Sequence, residues 1–251
     1  MTAMIYPTTN PAMAEQMVVA RGEGPYIFDK QGKQYLEGMA GLWCTALGYG
    51  NEEIIEVAER QMRELSFSHM FGGKTHASAI ELADKLAAMV PMQDGRVFLG
   101  NSGSDANDTL LKLIRYHAEA SGQPNRFKVI AREQGYHGVT LASAALTAIP
   151  TNHAHFQLPF EALGVLRTGS AHYYRGASEG ETEADFVARR AAELEALILA
   201  EGPDTIAAMI AEPVSGAGGV IVPPEGYFEA IQAVLDRYGI WLWDDEVICG
   251  F

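Results

Sequence analysis

The chain has 251 residues, 48% of them hydrophobic and 20% charged, which suits one large globular domain or two smaller ones. Its formal net charge of −14 argues against nucleic acid and anionic membranes as main partners, because both would repel it. The two cysteines, Cys44 and Cys249, match no disulfide, redox or metal spacing, which favours a cytoplasmic location.

Turns and short strands are predicted for the first 45 or so residues, beginning with a hairpin at 26–36 whose turn lies at 29–32. Further along, helices and strands alternate, which predicts an α/β fold with a mostly parallel sheet and helices on both faces. A stretch rich in glycine, serine and charge, 168–181, is predicted to be a surface loop. Apolar spacing and stop signals predict helices at 52–65, 77–89, 104–120, 183–200 and 225–238, with strands at 96–99, 127–131, 206–211 and 240–243.

The small-residue segment 100–104 joins a predicted strand to a predicted helix. Its glycines and serines allow backbone N–H groups to point outward at the N-terminus of the helix, where the helix dipole attracts a phosphate. The alternative is an ordinary tight turn in which Ser104 caps the helix.

Three further strand ends carry aromatic or acidic residues: Tyr136 and His137, then Glu212, then Asp245. Tyr136 can stack on a flat ligand, or it can be a loop tyrosine with its hydroxyl in water. The carboxyl ends of parallel strands lie on one side of the sheet, so these groups are expected to converge. A phosphorylated, N-heterocyclic cofactor would suit them, and pyridoxal phosphate is the obvious candidate because an anionic Asp245 would keep its ring nitrogen protonated.

Four motifs, in this order, resemble those of class III aminotransferases, the fold-type-I pyridoxal-phosphate enzymes that include the ω-transaminases. The resemblance runs from about Arg21 to Phe251, and Trp43 together with segment 69–76 is similar to the ω-transaminase branch. It implies that 49–251 is a truncated cofactor-binding large domain and that 1–48 is part of the small domain. The motifs are Asn-Ser-Gly-Ser-Asp-Ala-Asn at 101–107, Tyr-His-Gly at 136–138, Glu-Pro-Val at 212–214 with Gly-Gly-Val at 218–220, and Asp-Glu-Val-Ile at 245–248 with Gly250 and Phe251.

The resemblance also implies a role for each motif residue. Tyr136 stacks on the cofactor ring, Val247 packs on its other face and Asp245 pairs with its nitrogen. Glu212 helps to orient Asp245 or the hydroxyl side of the cofactor. Trp43 lines the substrate pocket, and Phe71 reaches a neighbouring subunit's site in a homodimer. The residues expected to bind pyridoxal 5'-phosphate are Ser102, Gly103, Ser104, Tyr136, His137, Glu212, Asp245 and Val247.

The family's Schiff-base lysine is expected roughly thirty residues after the 245–247 motif, and therefore beyond Phe251. The six lysines of this chain, at positions 30, 33, 74, 85, 112 and 128, all precede Glu212. No catalytic residue is therefore assigned within the 251 residues, and they are expected to be inactive alone, as an N-terminal fragment lacking the lysine and the C-terminal domain.

For the full-length parent, the resemblance implies transfer of an amino group from an amine or amino acid to a keto acid such as pyruvate. The alternatives are another class III enzyme, an aminomutase or decarboxylase, or a non-catalytic fragment. Trp43 with 71–74 favours an ω-transaminase over the other enzymes.

Two residues depart from the family pattern, and one histidine pair carries a weaker interpretation. Asp105 stands where the family usually has Glu, and Asp244 stands where a small apolar residue is usual. Asp244 is expected to face away from Asp245 and to cost stability if that face is buried. His153 and His155 have no third ligand nearby in the sequence, so no metal site is predicted.

Overall fold

The computed structural model describes residues 3–7, 10, 12 and 16–250, so Phe251 of the last motif lies outside the described residues. The chain divides into two compact units, Met1–Arg96 and Val97–Phe251. The domain boundary predicted after residue 48 falls inside the first unit and stays a prediction. Within the described residues, no helix is both long and apolar enough to cross a membrane.

The first unit begins with a three-stranded antiparallel sheet of β1 (Val19–Glu23), β2 (Tyr26–Asp29) and β3 (Gln34–Leu36). The Asp29 carboxylate accepts N–H groups from Gln31 and Lys33 in the turn between β2 and β3, which confirms the predicted hairpin. Sequence reasoning did not identify β1 as a separate strand. Three helices follow, α1 (Ala40–Trp43), α2 (Glu52–Glu64) and α3 (Ala77–Met89), and the last two confirm the predicted helices.

The second unit is built on a four-stranded parallel sheet with the order β5-β4-β6-β7. The strands are β4 (Lys128–Arg132), β5 (Val165–Thr168), β6 (Ile206–Ala211) and β7 (Trp241–Asp244). The helices are α4 (Gly103–Ala120), α5 (Leu141–Leu146), α6 (Phe160–Leu163), α7 (Tyr173–Gly176), α8 (Glu183–Glu201) and α9 (Tyr227–Arg237). These bounds confirm the predicted parallel α/β fold.

Alternating side chains of the strands form a hydrophobic core on each face of this sheet. On one face, Ile130 and Met209 pack in a core to which α8 and α9 contribute. On the other face, Ile210 and Trp243 pack in a core to which α4 contributes. Burial on both faces explains why β6 is a continuous apolar run, and why the sequence located it without error.

The structure corrects three predictions in the second half of the chain. No strand forms at 96–99, because no described segment pairs with it, and Phe98 is exposed. The segment 168–181 is not simply a surface loop, because α7 lies within it and Ala171 is buried. The fourth helix starts one residue earlier than predicted, and Ser102 rather than Ser104 caps it by accepting the N–H of Asp105 at 3.1 Å.

Candidate functional site

Three loops leave the carboxyl ends of β4, β6 and β7, and those after β4 and β7 contact the N-terminal half of α4. The parallel register places Ala211 of β6 beside Asp244 of β7. Glu212 and Asp245 therefore leave neighbouring strands at the same level, and the Asp245 N–H donates to the Ala211 carbonyl at 2.9 Å. This is the convergence of strand ends expected from the sequence.

Asp245 is the buried centre of this region, with 6% of its surface exposed. Its Oδ2 accepts hydrogen bonds from Asn107 Nδ2 at 2.9 Å and from His137 Nδ1 at 2.8 Å. Its Oδ1 accepts the Val247 N–H at 3.3 Å. Burial alone would raise the pKa of Asp245, but the hydrogen bonds and the charge of His137 outweigh it and hold that pKa below its ordinary value. The carboxylate is therefore kept ionised in a buried position.

His137 is oriented at three separate atoms of its backbone and ring. Its N–H donates to Thr147 Oγ1 at 2.8 Å, and its carbonyl accepts from Asn107 Nδ2 at 2.8 Å. Because Asp245 is an acceptor, ring atom Nδ1 is the donor of their shared hydrogen bond. The buried Nε2 has no hydrogen-bond partner among the described residues.

Glu212 is also buried, and backbone donors hold both of its carboxylate oxygens. Oε1 accepts the Tyr136 N–H and Oε2 accepts the Gly216 N–H, each at 3.0 Å. Burial raises the pKa of Glu212 despite these donors and the neighbouring positive charge. Glu212 thus ties the β4 loop, which carries Tyr136 and His137, to its own loop, and no hydrogen bond joins its side chain to Asp245.

The N-terminus of α4 lies against the β4 loop. Ser104 Oγ accepts the Val139 N–H at 3.0 Å, and Ser143 Oγ lies 3.1 Å from the Ser104 carbonyl oxygen. The N–H groups of Gly103 and Ser104 have no partner among the described residues. Gly138, with φ at +126°, lies so close to Ser104 that any side chain there would collide with the serine hydroxyl. The region therefore offers free helix-terminal donors of the kind that bind phosphate.

Asp108, which the sequence analysis did not select, strengthens the contact between α4 and the β4 loop. Its Oδ1 accepts from the hydroxyls of Thr140 and Ser143, each at 2.7 Å, and from the Ser143 N–H at 3.1 Å. This single carboxylate oxygen fixes the start of α5 to the first turns of α4.

Two residues that sequence reasoning passed over, Asn107 and Arg132, are buried at the centre of the region. Asn107 lay within a quoted motif, but it received no role. The sequence could have revealed Asn107 by its spacing, which puts it on the same helix face as the buried residues Leu111 and Ile114. An amide on a buried face needs hydrogen-bond partners. Arg132 is the last residue of β4. It donates hydrogen bonds to the Glu212 carbonyl and to Ser215 Oγ, and so it holds the loop after β6 in place.

The remaining predicted site residues lie in more open positions. Tyr136 is half-buried, and Val247 is 64% exposed beside the N-terminus of α4, where its Cγ2 approaches Gly103. Trp43 and Phe71 belong to the other compact unit, and both are exposed, Phe71 to 84%. Their assignment to a substrate pocket stays a prediction.

Asp244, the unusual neighbour of Asp245, is exposed at the end of β7. Partial burial still removes water from the Asp244 carboxyl group, and the negative charges of Glu246 and Asp245 disfavour its ionisation further. Together they raise the pKa of Asp244 to about 6. Asp244 is therefore not a carboxylate on a buried face; it is one of three adjacent acidic residues, 244–246, that repel one another.

His153 serves a structural purpose. Its Nε2 lies 3.1 Å from the Ala144 carbonyl and 2.6 Å from the Thr147 carbonyl, at the C-terminus of α5. In the described part of the chain, no group of three or more His, Cys, Asp or Glu side chains is placed to hold a metal ion.

Comparison with known proteins identifies a family for the chain. The family model described as "Aminotransferase class-III" matches residues 8–251. The "Gamma-aminobutyrate transaminase 1, mitochondrial" of Oryza sativa subsp. japonica is 48% identical over 236 residues, which are 94% of this chain and 45% of that protein. The "Gamma aminobutyrate transaminase 3, chloroplastic" of Solanum lycopersicum is 48% identical over 238 residues, again 94% of this chain and 45% of that protein.

Solved structures give the same result for the fold. The ω-transaminase from Pseudomonas jessenii in complex with PMP is 50% identical, with a TM-score of 0.95 over 99% of this chain and 55% of that chain. A transaminase solved with L-Ala is 52% identical, with a TM-score of 0.90 over 94% of this chain and 55% of that chain. The chain thus spans about half the length of these relatives.

Proposed function

The chain belongs to the class III aminotransferase family, and from this membership we propose that it forms the part of an aminotransferase that binds pyridoxal 5'-phosphate. The whole protein transfers an amino group from an amine or amino acid to a keto acid such as pyruvate. The γ-aminobutyrate transaminases and ω-transaminases among its relatives support this reaction over the aminomutase and decarboxylase alternatives.

The observation that carries the proposal is the buried, ionised carboxylate of Asp245. A carboxylate that is desolvated and still ionised is suited to a cationic partner, and a protonated ring nitrogen is such a partner. When bound, pyridoxal phosphate supplies an electron-withdrawing ring that acidifies the carbon next to the substrate nitrogen. Asp245 favours this effect by keeping the ring nitrogen protonated.

The phosphate end of the cofactor fits the N-terminus of α4. The N–H groups of Gly103 and Ser104 are without partners among the described residues, and the helix dipole favours an anion there. The Ser104 hydroxyl already accepts the Val139 N–H, so its own proton remains available for a phosphate oxygen. Ser102 caps the helix and so keeps these donors in place.

The roles of the other predicted residues form part of the proposal. Tyr136 and Val247 cover the two faces of the cofactor ring, and His137 with Glu212 orients the β4 loop that carries Tyr136. Trp43 lines the substrate pocket, and Phe71 reaches the site of the second subunit in a cytoplasmic homodimer.

Calorimetric titration of this chain with pyridoxal 5'-phosphate tests the binding step. We expect one saturable site that Asp245→Ala and Ser104→Ala each weaken by about tenfold, the cost of one hydrogen bond to a charged group. Ser121→Ala at the opposite end of α4 is the matched control and leaves the affinity unchanged. Titration curves that neither site variant alters would contradict the proposed site. Amino transfer to pyruvate is measured on a protein that also contains the lysine-bearing region of the family.

A further inference from the structure

We propose that Asn107 is a positioning residue for Asp245. By donating both of its amide hydrogens to fixed acceptors, it holds the carboxylate in one orientation and leaves Oδ1 to receive the protonated ring nitrogen of the cofactor. This inference rests on the proposed function, because it assumes that Asp245 faces a ring nitrogen.

The orientation of the Asn107 amide is fixed by its two partners. Nδ2 lies 2.9 Å from Asp245 Oδ2 and 2.8 Å from the His137 carbonyl oxygen. Both partners can only accept hydrogen bonds when Asp245 is ionised, so the NH₂ group and not the amide oxygen must face them. Each of its two hydrogens is then used once. Because the three residues are buried, no solvent competes for these bonds.

The two carboxylate oxygens of Asp245 accept different numbers of hydrogen bonds. Oδ2 receives two N–H donors at normal hydrogen-bond distances, one from Asn107 and one from His137. Oδ1 receives only the Val247 N–H, at the longer distance of 3.3 Å. A carboxylate oxygen accepts about two hydrogen bonds, so Oδ2 is saturated and Oδ1 retains capacity. Asn107 supplies the second of the two donors that fill Oδ2, so that Oδ1 remains for a cation.

The position of Asn107 on α4 links this orientation to the phosphate end of the site. Asn107 follows Ser104 by three residues, about one helical turn, so both lie on the same side of the helix. The same rigid helix therefore carries the donors proposed for the phosphate and the amide that holds Asp245.

A purely structural role for Asn107 makes a different prediction. An amide that only satisfies buried polar groups would, when removed, weaken the fold and reduce the affinity for every ligand of the site alike. A positioning residue affects recognition of the ring nitrogen in particular. The two roles are separated by comparing ligands that differ only at that atom.

The experiment measures the affinity of this chain for pyridoxal 5'-phosphate and for a deaza analogue in which C–H replaces the ring nitrogen. In the wild type we expect clear preference for the natural cofactor. In Asn107→Leu this preference falls by about tenfold, as for one lost hydrogen bond to a charged group. Asn107→Ser, whose single hydroxyl can serve only one of the two acceptors, gives an intermediate preference and provides a second variant if Leu impairs folding.

Leu111→Ala is the matched control, because Leu111 lies one turn further along the same helix, is buried and touches the core instead of Asp245. It lowers thermal stability and leaves the ligand preference unchanged. If Asn107→Leu and Asn107→Ser bind both ligands more weakly by the same factor, Asn107 is structural and the proposal is overturned.

A second readout needs no cofactor. Among the described residues His137 is the titratable side chain in contact with Asp245, with Asp244 and Glu246 adjacent in sequence. The carboxyl carbon of Asp245, followed by NMR, titrates at higher pH in Asn107→Leu than in the wild type; equal titration overturns the inference. If the wild-type chain binds neither ligand, the proposed function fails and the inference fails with it, while this titration still shows whether Asn107 stabilises the ionised form of Asp245.

Discussion

Gly103 and Val247 are in such close contact that a Cβ atom at position 103 would lie 2.7 Å from Cγ2 of Val247. The first residue of α4 and the loop after β7 are thus matched in shape. The contact fixes the valine beside the helix terminus that is proposed to bind phosphate. It requires glycine for space alone, since the backbone of Gly103 lies outside the left-handed region.

We expect Gly103→Ala to destabilise the second unit by about 1–3 kcal/mol, the usual cost of overpacking. Val247→Ala in the same chain opens the space again, so the double variant recovers most of the loss. A double-mutant cycle from chemical denaturation measures the coupling, for which about 0.5–3 kcal/mol is expected between touching residues. Additive effects of the two substitutions would show that the contact is not formed.

Gly138→Ala is expected to be more damaging, because a methyl group there meets Ser104 and φ is +126°. The matched control is Gly219→Ala, whose φ is +127° and whose Cβ would point into open space. Both variants incur the backbone strain of about 1–3 kcal/mol, but only Gly138→Ala should also weaken binding of pyridoxal phosphate. Thermal unfolding and calorimetric titration separate the two costs, and equal affinities in the two variants would refute the prediction.

Asp245→Asn should destabilise the chain in a pH-dependent way. The folded-state pKa of Asp245 lies below its ordinary value of 3.8, so its stabilisation is present above that pH and is lost as the pH falls through the folded value. We expect a loss of about 2 kcal/mol at neutral pH, the scale of a hydrogen bond to a charged group. The difference between wild type and variant shrinks below about pH 4. Urea titrations at several pH values measure it; a difference that does not change with pH would rule this account out.

Asp244→Asn should have the opposite pH dependence. Its folded-state pKa is about 6, above the ordinary 3.8, so the folded chain binds more protons between these values and loses stability as the pH rises through them. The variant lacks this loss, and its unfolding free energy depends less on pH from about 4 to about 7. The comparison uses the same urea titrations. If the unfolding free energies of wild type and variant differed by the same amount at every pH, Asp244 would not be crowded by its acidic neighbours.

Cofactor bound to this chain should not be fixed covalently at the site. The second unit contains Lys112 and Lys128, and Lys128 lies at the first residue of β4, away from the site, where it pairs with Glu201 at 2.9 Å. After borohydride treatment and peptide mapping we expect no lysine to be labelled in a one-to-one ratio with bound cofactor. Stoichiometric labelling of Lys112 or Lys128 would contradict this arrangement.

The parts of the fold that the sequence predicted are those where one physical requirement dominates. Burial on both faces makes β6 uniformly apolar, and regular apolar spacing identified α3 and α8. The strand β5 was missed because it is short and contains Arg167, whose guanidinium reaches the carbonyls at the end of α5. The false strand at 96–99 had suitable residues, but a strand also needs a partner, which local composition does not reveal.

The same distinction applies to the site. Glu212 and Asp245 were identified because each follows a strand, and topology brings strand ends together. Asn107 contacts Asp245, which follows it by 138 positions, and Arg132 contacts Glu212, which follows it by 80 positions. No local sequence pattern encodes contacts over such separations. The resemblance implies that Glu212 helps to orient Asp245 or the hydroxyl side of the cofactor. In the structure the side-chain hydrogen bonds to Asp245 come from His137 and Asn107, and the role of Glu212 toward the cofactor stays a prediction.

Because Ser104 and Asn107 must lie one helical turn apart, the segment between them cannot gain or lose a residue. A single residue inserted between them would rotate Asn107 by about 100° around the helix axis and advance it by about 1.5 Å, so that its amide would face away from Asp245. Substitutions at positions 105 and 106 leave that spacing intact, while an insertion or deletion there destroys it. Homologous chains that use the same amide should therefore vary in residue type across this turn but never in the number of residues.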